Sequence, residues 1–229
     1  MLKPRSLVLF CLPIALSLGM PRPVLSQSAV ITSSQDGRLQ QAQQALVQAT
    51  NNNDTLGQAN ALLAIGQIQY SRARYPDATS ALQRALSLYQ YLQQPLGQAR
   101  ALTYLGYIYQ AQDDREDALN AYNQALIAYR AVQNNLGEAA TLDSLALVHA
   151  SKQDLQTSLA NYQKSLAIYQ EVGDTLKEAN TLNSIGLVYQ ALGQKDPARN
   201  AFQQALALSR EINDRVLESQ IQNNLASLP

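Results

Sequence analysis

The chain repeats itself every forty residues, and that period leaves few folds open. Leu56, Leu96, Leu136, Leu176 and Val216 stand forty apart, as do Ala59, Ala99, Ala139 and Ala179, followed by Leu62, Leu102, Leu142 and Leu182. The next column is Ile65, Leu105, Leu145, Ile185 and Leu225, and each of these precedes a small residue: Gly66, Gly106, Ala146, Gly186 and Ala226. Later in the unit come Ala78, Ala118, Ser158 and Ala198, then the bulky column Leu82, Tyr122, Tyr162 and Phe202. The small column Ala85, Ala125, Ser165 and Ala205 follows, with Leu86, Leu126, Leu166 and Leu206 directly after it. No gap is needed to align these copies. A repeat of this length is one supersecondary unit that buries its apolar face only against its neighbours.

Inside each unit the apolar spacing is helical. Leu142, Leu145 and Val148 share one face of a first helix, and Leu159, Tyr162, Leu166 and Tyr169 share one face of a second. Asn135 with Glu138, and Thr175 with Glu178, have the spacing of a capped helix start. Asp114 and Asp154 suit the start of the second helix, and Pro76 and Pro197 suit a first helical turn. Two helices of roughly 16 to 18 residues, each about 25 Å long, fill the unit. Gly or Ala after the Ile/Leu column lets the paired helix come close, and the bulky column fills the space beside it. The expected fold is all-α: a right-handed α-solenoid of stacked antiparallel helix pairs.

The unit resembles the tetratricopeptide repeat. The second copy shows the family pattern as Leu102, Leu105-Gly106, Tyr109, Ala118, Tyr122 and Ala125, and the fourth as Leu182, Ile185-Gly186, Tyr189, Ala198, Phe202 and Ala205. Leu stands where the family has its first Trp, and the period is forty instead of thirty-four. The longer period is similar to that of Leu-Gly-Asn-repeat proteins and kinesin light chains. On this reading the repeats span 53–92, 93–132, 133–172 and 173–212, with a half-repeat helix at 38–52 and a capping helix at 213–229. Polar Gln220, Gln222, Asn223 and Asn224 suit a solvent-facing cap.

The first 26 residues read as a signal peptide, and 27–37 as a flexible linker. Lys3 and Arg5 form a basic start, Leu7 to Met20 an apolar run, and Val24-Leu25-Ser26 a cleavage site that leaves Gln27 first. The expected location is periplasmic or extracellular, with a membrane anchor made by an uncleaved leader as the alternative. Cleavage removes Lys3, Arg5 and Arg22, leaving 14 basic against 17 acidic residues, and it removes the single cysteine, Cys11. Hydrophobic burial alone then holds the exported chain together. The charge balance offers no field for nucleic acid, and no Lys/Arg cluster follows a phosphate backbone.

The resemblance implies protein–protein interaction, with a partner lying in a concave groove lined by the first helices. Carried onto this chain, that face comprises Asn60, Leu63, Gln67 and Tyr70, then Arg100, Thr103, Tyr104 and Tyr107. Asp143, Ser144 and Leu147 continue it, followed by Asn180, Asn183, Ser184, Leu187, Asn223 and Asn224. Amide side chains both donate and accept, so they pair with an extended backbone whatever its side chains. Asn183, Asn223 and Asn224 resemble the asparagine ladder of the longer-period relatives. Catalysis is not expected, and neither a cofactor nor a metal. His149, the single histidine, falls in the column of Tyr109 and Tyr189 and reads as a packing residue. The acids Asp113, Asp114, Glu116 and Asp117 sit where carboxylates favour a helix start. Tyr89, Tyr129 and Tyr169 read as packing between repeats. Two other roles fit the same sequence: a self-assembly unit that stacks through its terminal helices, and a regulatory remnant of a larger protease-like or signalling protein.

Overall fold

The computed structural model describes residues 25–228, with side chains from Asp36 onward. Helix α1 (Leu25–Asn51) is followed by four antiparallel pairs. These are α2 (Thr55–Ser71) with α3 (Tyr75–Tyr91), and α4 (Pro95–Ala111) with α5 (Arg115–Ala131). Then come α6 (Asn135–Ser151) with α7 (Leu155–Val172), and α8 (Thr175–Ala191) with α9 (Lys195–Glu211), before α10 (Arg215–Ala226). Each helix packs on the one before and the one after it, which is the all-α solenoid that the period implies. The leader lies outside the described residues apart from Leu25 and Ser26, which open α1. Residues 27–37 belong to α1 and do not form the expected linker. No proline interrupts them, a single Gly37 in a helix costs only about 1 kcal/mol, and Asp36 pairs with Arg72 at 2.7 Å.

Every turn between helices is built alike. A residue with positive φ follows each helix (Asn53, Ala73, Gln93, Asp113, Gln133, Gln153, Gly173, Gly193 and Asn213). The next N–H then reaches back to a carbonyl five residues earlier, as in Asp114 to Tyr109 at 2.8 Å and Asp214 to Ser209 at 2.9 Å. The residue that makes this bond is in several turns also the cap of the next helix. Asn134 accepts from the Gly137 N–H at 2.7 Å and Asp174 from the Lys177 N–H at 3.0 Å. The caps therefore sit one residue before Asn135 and Thr175, which are already helical. Asp114 and Asp154 cap α5 and α7 as expected.

Within a pair, the small column meets the bulky one. A methyl group on Gly66 would stand 2.5 Å from Leu82, one on Gly106 2.4 Å from Tyr122, and one on Gly186 2.5 Å from Phe202. Between pairs a second contact holds the stack. The rings of Tyr89 and Tyr129 lie flush on Gly97 and Gly137, where an added methyl would stand 2.3 Å and 2.4 Å away. Tyr89, Tyr129 and Tyr169 are all buried, so this column is inter-repeat packing. At the last seam the sizes are exchanged: Ser209 takes the tyrosine position and buried Leu217 the glycine position. The column that first marks the repeat, Leu56, Leu96, Leu136, Leu176 and Val216, lies in the first turn of the even-numbered helices and stays half-exposed along one edge.

Candidate binding groove

The even-numbered helices come together on one side of the array, where α2 touches α4 and α8 touches α10. Their shared side is the groove floor. Of the expected residues, Asn60, Arg100 and Asn223 are exposed there, while Gln67, Tyr70, Tyr107, Asp143, Leu147, Asn180, Asn183, Leu187 and Asn224 are half-buried. Thr103 is buried and its hydroxyl donates to the Ala99 carbonyl at 2.8 Å. Leu63 and Ser184 are buried as well.

Three chemistries divide the floor. Over the first two repeats the rings of Tyr70, Tyr104 and Tyr107 contact one another, with centroids 5.6 to 6.0 Å apart. Tyr75 and Tyr122 extend the cluster at 6.3 and 5.8 Å. Burial pushes the Tyr107 phenol up to about 12, against a hydrogen bond shared with Ser144. The Tyr122 hydroxyl below it donates to Gln110 at 2.9 Å.

In the third repeat Asp143 replaces the ladder amide. Its carboxylate accepts from Thr181 at 3.2 Å and is also hydrogen-bonded by Ser165 and Tyr169. Burial still dominates these bonds and the Lys177 charge, and lifts its pKa to about 6. The same burial and the nearby carboxylate push the Tyr169 phenol up.

Over the last repeat the floor is amide. Asn224 Nδ2 donates to Asn183 Oδ1 at 2.9 Å, which leaves the Asn183 amino group and the Asn224 carbonyl oxygen unused by that bond. Asn180 donates to the Leu176 carbonyl at 2.8 Å, and Asn60 at the opposite end accepts from the Tyr89 hydroxyl at 2.8 Å.

The sequence points to Tyr70, Tyr104 and Tyr107 one by one but not to their union with Tyr75 and Tyr122. The i, i+3 spacing of Tyr104 and Tyr107 is the signal for a shared face. The other reactive groups are structural. His149 Nδ1 stands 3.0 Å from Asp154 Oδ2 at the turn into α7, and is half-buried. Among the acids, Asp113 pairs with Arg115 at 2.8 Å and Glu116 with Lys152.

The tetratricopeptide repeat family profile matches residues 137–211, and the matched span has the same pairing, turns and Gly/aromatic contact as the units before it. Residues 137–211 are tetratricopeptide repeats. Solved structures give the same fold. BtubC (BKLC) from P. vanneervenii superposes with a TM-score of 0.73 at 16% identity, over 85% of this chain and 82% of that one. A Podosopora anserina putative kinesin light chain with nearly identical TPR-like repeats gives a TM-score of 0.64 at 13% identity, over 82% of this chain and 95% of that one. A Rap protein complexed with Competence and Sporulation Factor gives 0.70 at 15% identity. This chain covers 88% of itself in that match but only 60% of the Rap protein. No curated protein matches in sequence. Tetratricopeptide repeats of this architecture form protein–protein interaction scaffolds.

Proposed function

We propose that this chain is an exported scaffold that holds a peptide or protein segment along the inner groove. The observation that carries the reading is the floor itself. Side chains from the even-numbered helices converge on one surface, with exposed amides at both ends, tyrosine rings between and, among the expected residues, one exposed cation, Arg100. Such a surface matches an extended backbone, whose carbonyls and N–H groups need partners once water is displaced. The Rap neighbour is complexed with Competence and Sporulation Factor, which supports a ligand-holding role for the fold. The described side chains form no arrangement of nucleophile, base and orienting acid, and no group of three metal-ligating residues lies among them.

Export rests on the basic start, the apolar run and the small residues before Gln27. N-terminal sequencing of protein from the periplasm or medium should begin at Gln27; a cytosolic product that retains Met1 would overturn it. Stacking between copies is disfavoured at α10. Its exposed Ser219 and Gln222 occupy the columns held by buried Ala59 and Leu62 in the first unit. Light scattering should therefore show a monomer at all concentrations. For the groove, Asn183→Ala with Asn223→Ala should cut recovery of the bound partner, while Gln83→Ala with Gln203→Ala on the outer helices should not. Equal recovery from both pairs would sink the reading.

A further inference from the structure

The two halves of the groove ask for different things from a ligand, and the tyrosine half is the more specific. Tyr70 on one inner helix and Tyr104 with Tyr107 on the next form a short, three-cornered strip that bridges the two repeats. Their mutual contacts are edge-on or stacked, which leaves no slot between rings for a further planar side chain. A ligand meets ring faces and edges as a shallow floor.

No hydrogen bond joins the Tyr70 or Tyr104 hydroxyl to another described residue, so both stand ready to donate. Arg100 lies one helical turn before Tyr104, is exposed, and forms no ion pair among the described residues. Its charge is felt at both Tyr89 and Tyr104. The acid on the floor of the next repeat, Asp143, is occupied by Thr181, Ser165 and Tyr169.

We propose, resting on the groove reading above, that the Tyr70–Tyr104–Tyr107 strip is a subsite for a proline-rich segment in polyproline II form, with an acidic residue that meets Arg100. A polyproline helix has no internal hydrogen bonds, so its carbonyls are free to accept from the two hydroxyls. It rises ~3.1 Å per residue with three residues per turn, so the same face returns every ~9 Å, and a single turn covers rings whose centroids lie 5.6 to 6.0 Å apart. Proline rings lie flat on aromatic floors, and the segment loses little conformational entropy on docking. Arg100 rejects a cation at that point and rewards a carboxylate. The ligand thus has a direction: its acidic, proline-rich part lies over the first two repeats and its remaining backbone over the amides of the last.

The test uses three blocked nine-residue peptides against the full mature chain: prolines around a central glutamate, prolines around a central lysine, and an alanine–serine peptide with the same glutamate. Binding is read by calorimetry and by tyrosine emission, which is unobscured because the chain has 12 Tyr and no Trp. The glutamate–proline peptide should bind at least tenfold tighter than either control. Tyr70→Ala with Tyr104→Ala should remove that advantage, and Tyr70→Phe with Tyr104→Phe should remove part of it. Arg100→Glu, at an exposed position that the core does not need, should reverse the preference so that the lysine peptide wins. Equal binding of the proline and alanine–serine peptides, or a glutamate preference that survives Arg100→Glu, would overturn the proposal. If all three peptides bind alike and Asn183→Ala with Asn223→Ala weakens them all, the groove stands and the strip falls. If none binds and inner-face variants capture the same partners as the unaltered chain, both fall.

Discussion

Asp143→Asn should make this protein more stable at neutral pH. Asp143 is the carboxylate that burial lifts from 3.8 to about 6, in spite of hydrogen bonds from Ser165, Thr181 and Tyr169. A pKa that is higher folded than unfolded means that the folded state prefers the protonated acid. The stabilisation is full below pH 3.8 and is lost as pH rises through 6. The shift corresponds to about 3 kcal/mol in all, of which about 1.4 kcal/mol separates pH 5 from pH 8. Asparagine keeps the shape, accepts from Thr181 through its carbonyl oxygen and carries no charge to desolvate. Asn183 already occupies the same column one repeat later. Denaturant melts followed by helical circular dichroism at several pH values would read the effect. The unaltered chain should gain stability from pH 8 to 5, the variant should lack this component, and their curves should separate above pH 6. A variant less stable than the parent at pH 8, or two parallel pH profiles, would refute the reasoning.

Three further outcomes follow from packing. Leu145→Ala empties a buried site shared with Leu142 and Val148 and should cost about 2–5 kcal/mol, read as a lower melting temperature; a change within error would remove Leu145 from the core. Gly106→Ala pushes a methyl to 2.4 Å from the Tyr122 ring and should cost about 1–3 kcal/mol, whereas an unchanged melt would mean that the helices part freely. Ala73→Gly relieves a positive φ of the 52–64° type seen at the non-glycine turns, here 55°, and should add about 1 kcal/mol; destabilisation in denaturant titration would show that the turn is not strained.

The fold was legible because forty-residue columns report contacts repeated at each copy. Gly106 against Tyr122 could be read from Gly186 against Phe202. Features that occur once could not be checked in this way. The start of α1 is one, since residues 27–37 have no second copy in the array. The caps at Asn134 and Asp174 were missed by one residue because the positive-φ residue before them takes up one more position of the turn. At the groove, the family resemblance supplied the face but not its partnerships. The bond between Asn224 and Asn183 and that between Thr181 and Asp143 join residues 41 and 38 apart, from neighbouring repeats. Which side chains meet there depends on how far each pair is rotated from the last, and a column of letters does not carry that angle.

The exchange of sizes between successive pairs works as a key. Tyr89 and Tyr129 each require a glycine opposite, whereas Leu217 requires something as small as Ser209. Excising residues 93–132 would bring Tyr89 to Gly137, a match the molecule already uses. Excising residues 173–212 would instead set Tyr169, which now stands opposite Lys177, against Leu217, a pairing found at none of the existing seams. Copies that look interchangeable in their columns thus differ at their seams, and the terminal helix meets a serine where the earlier seams of complete repeats present a tyrosine.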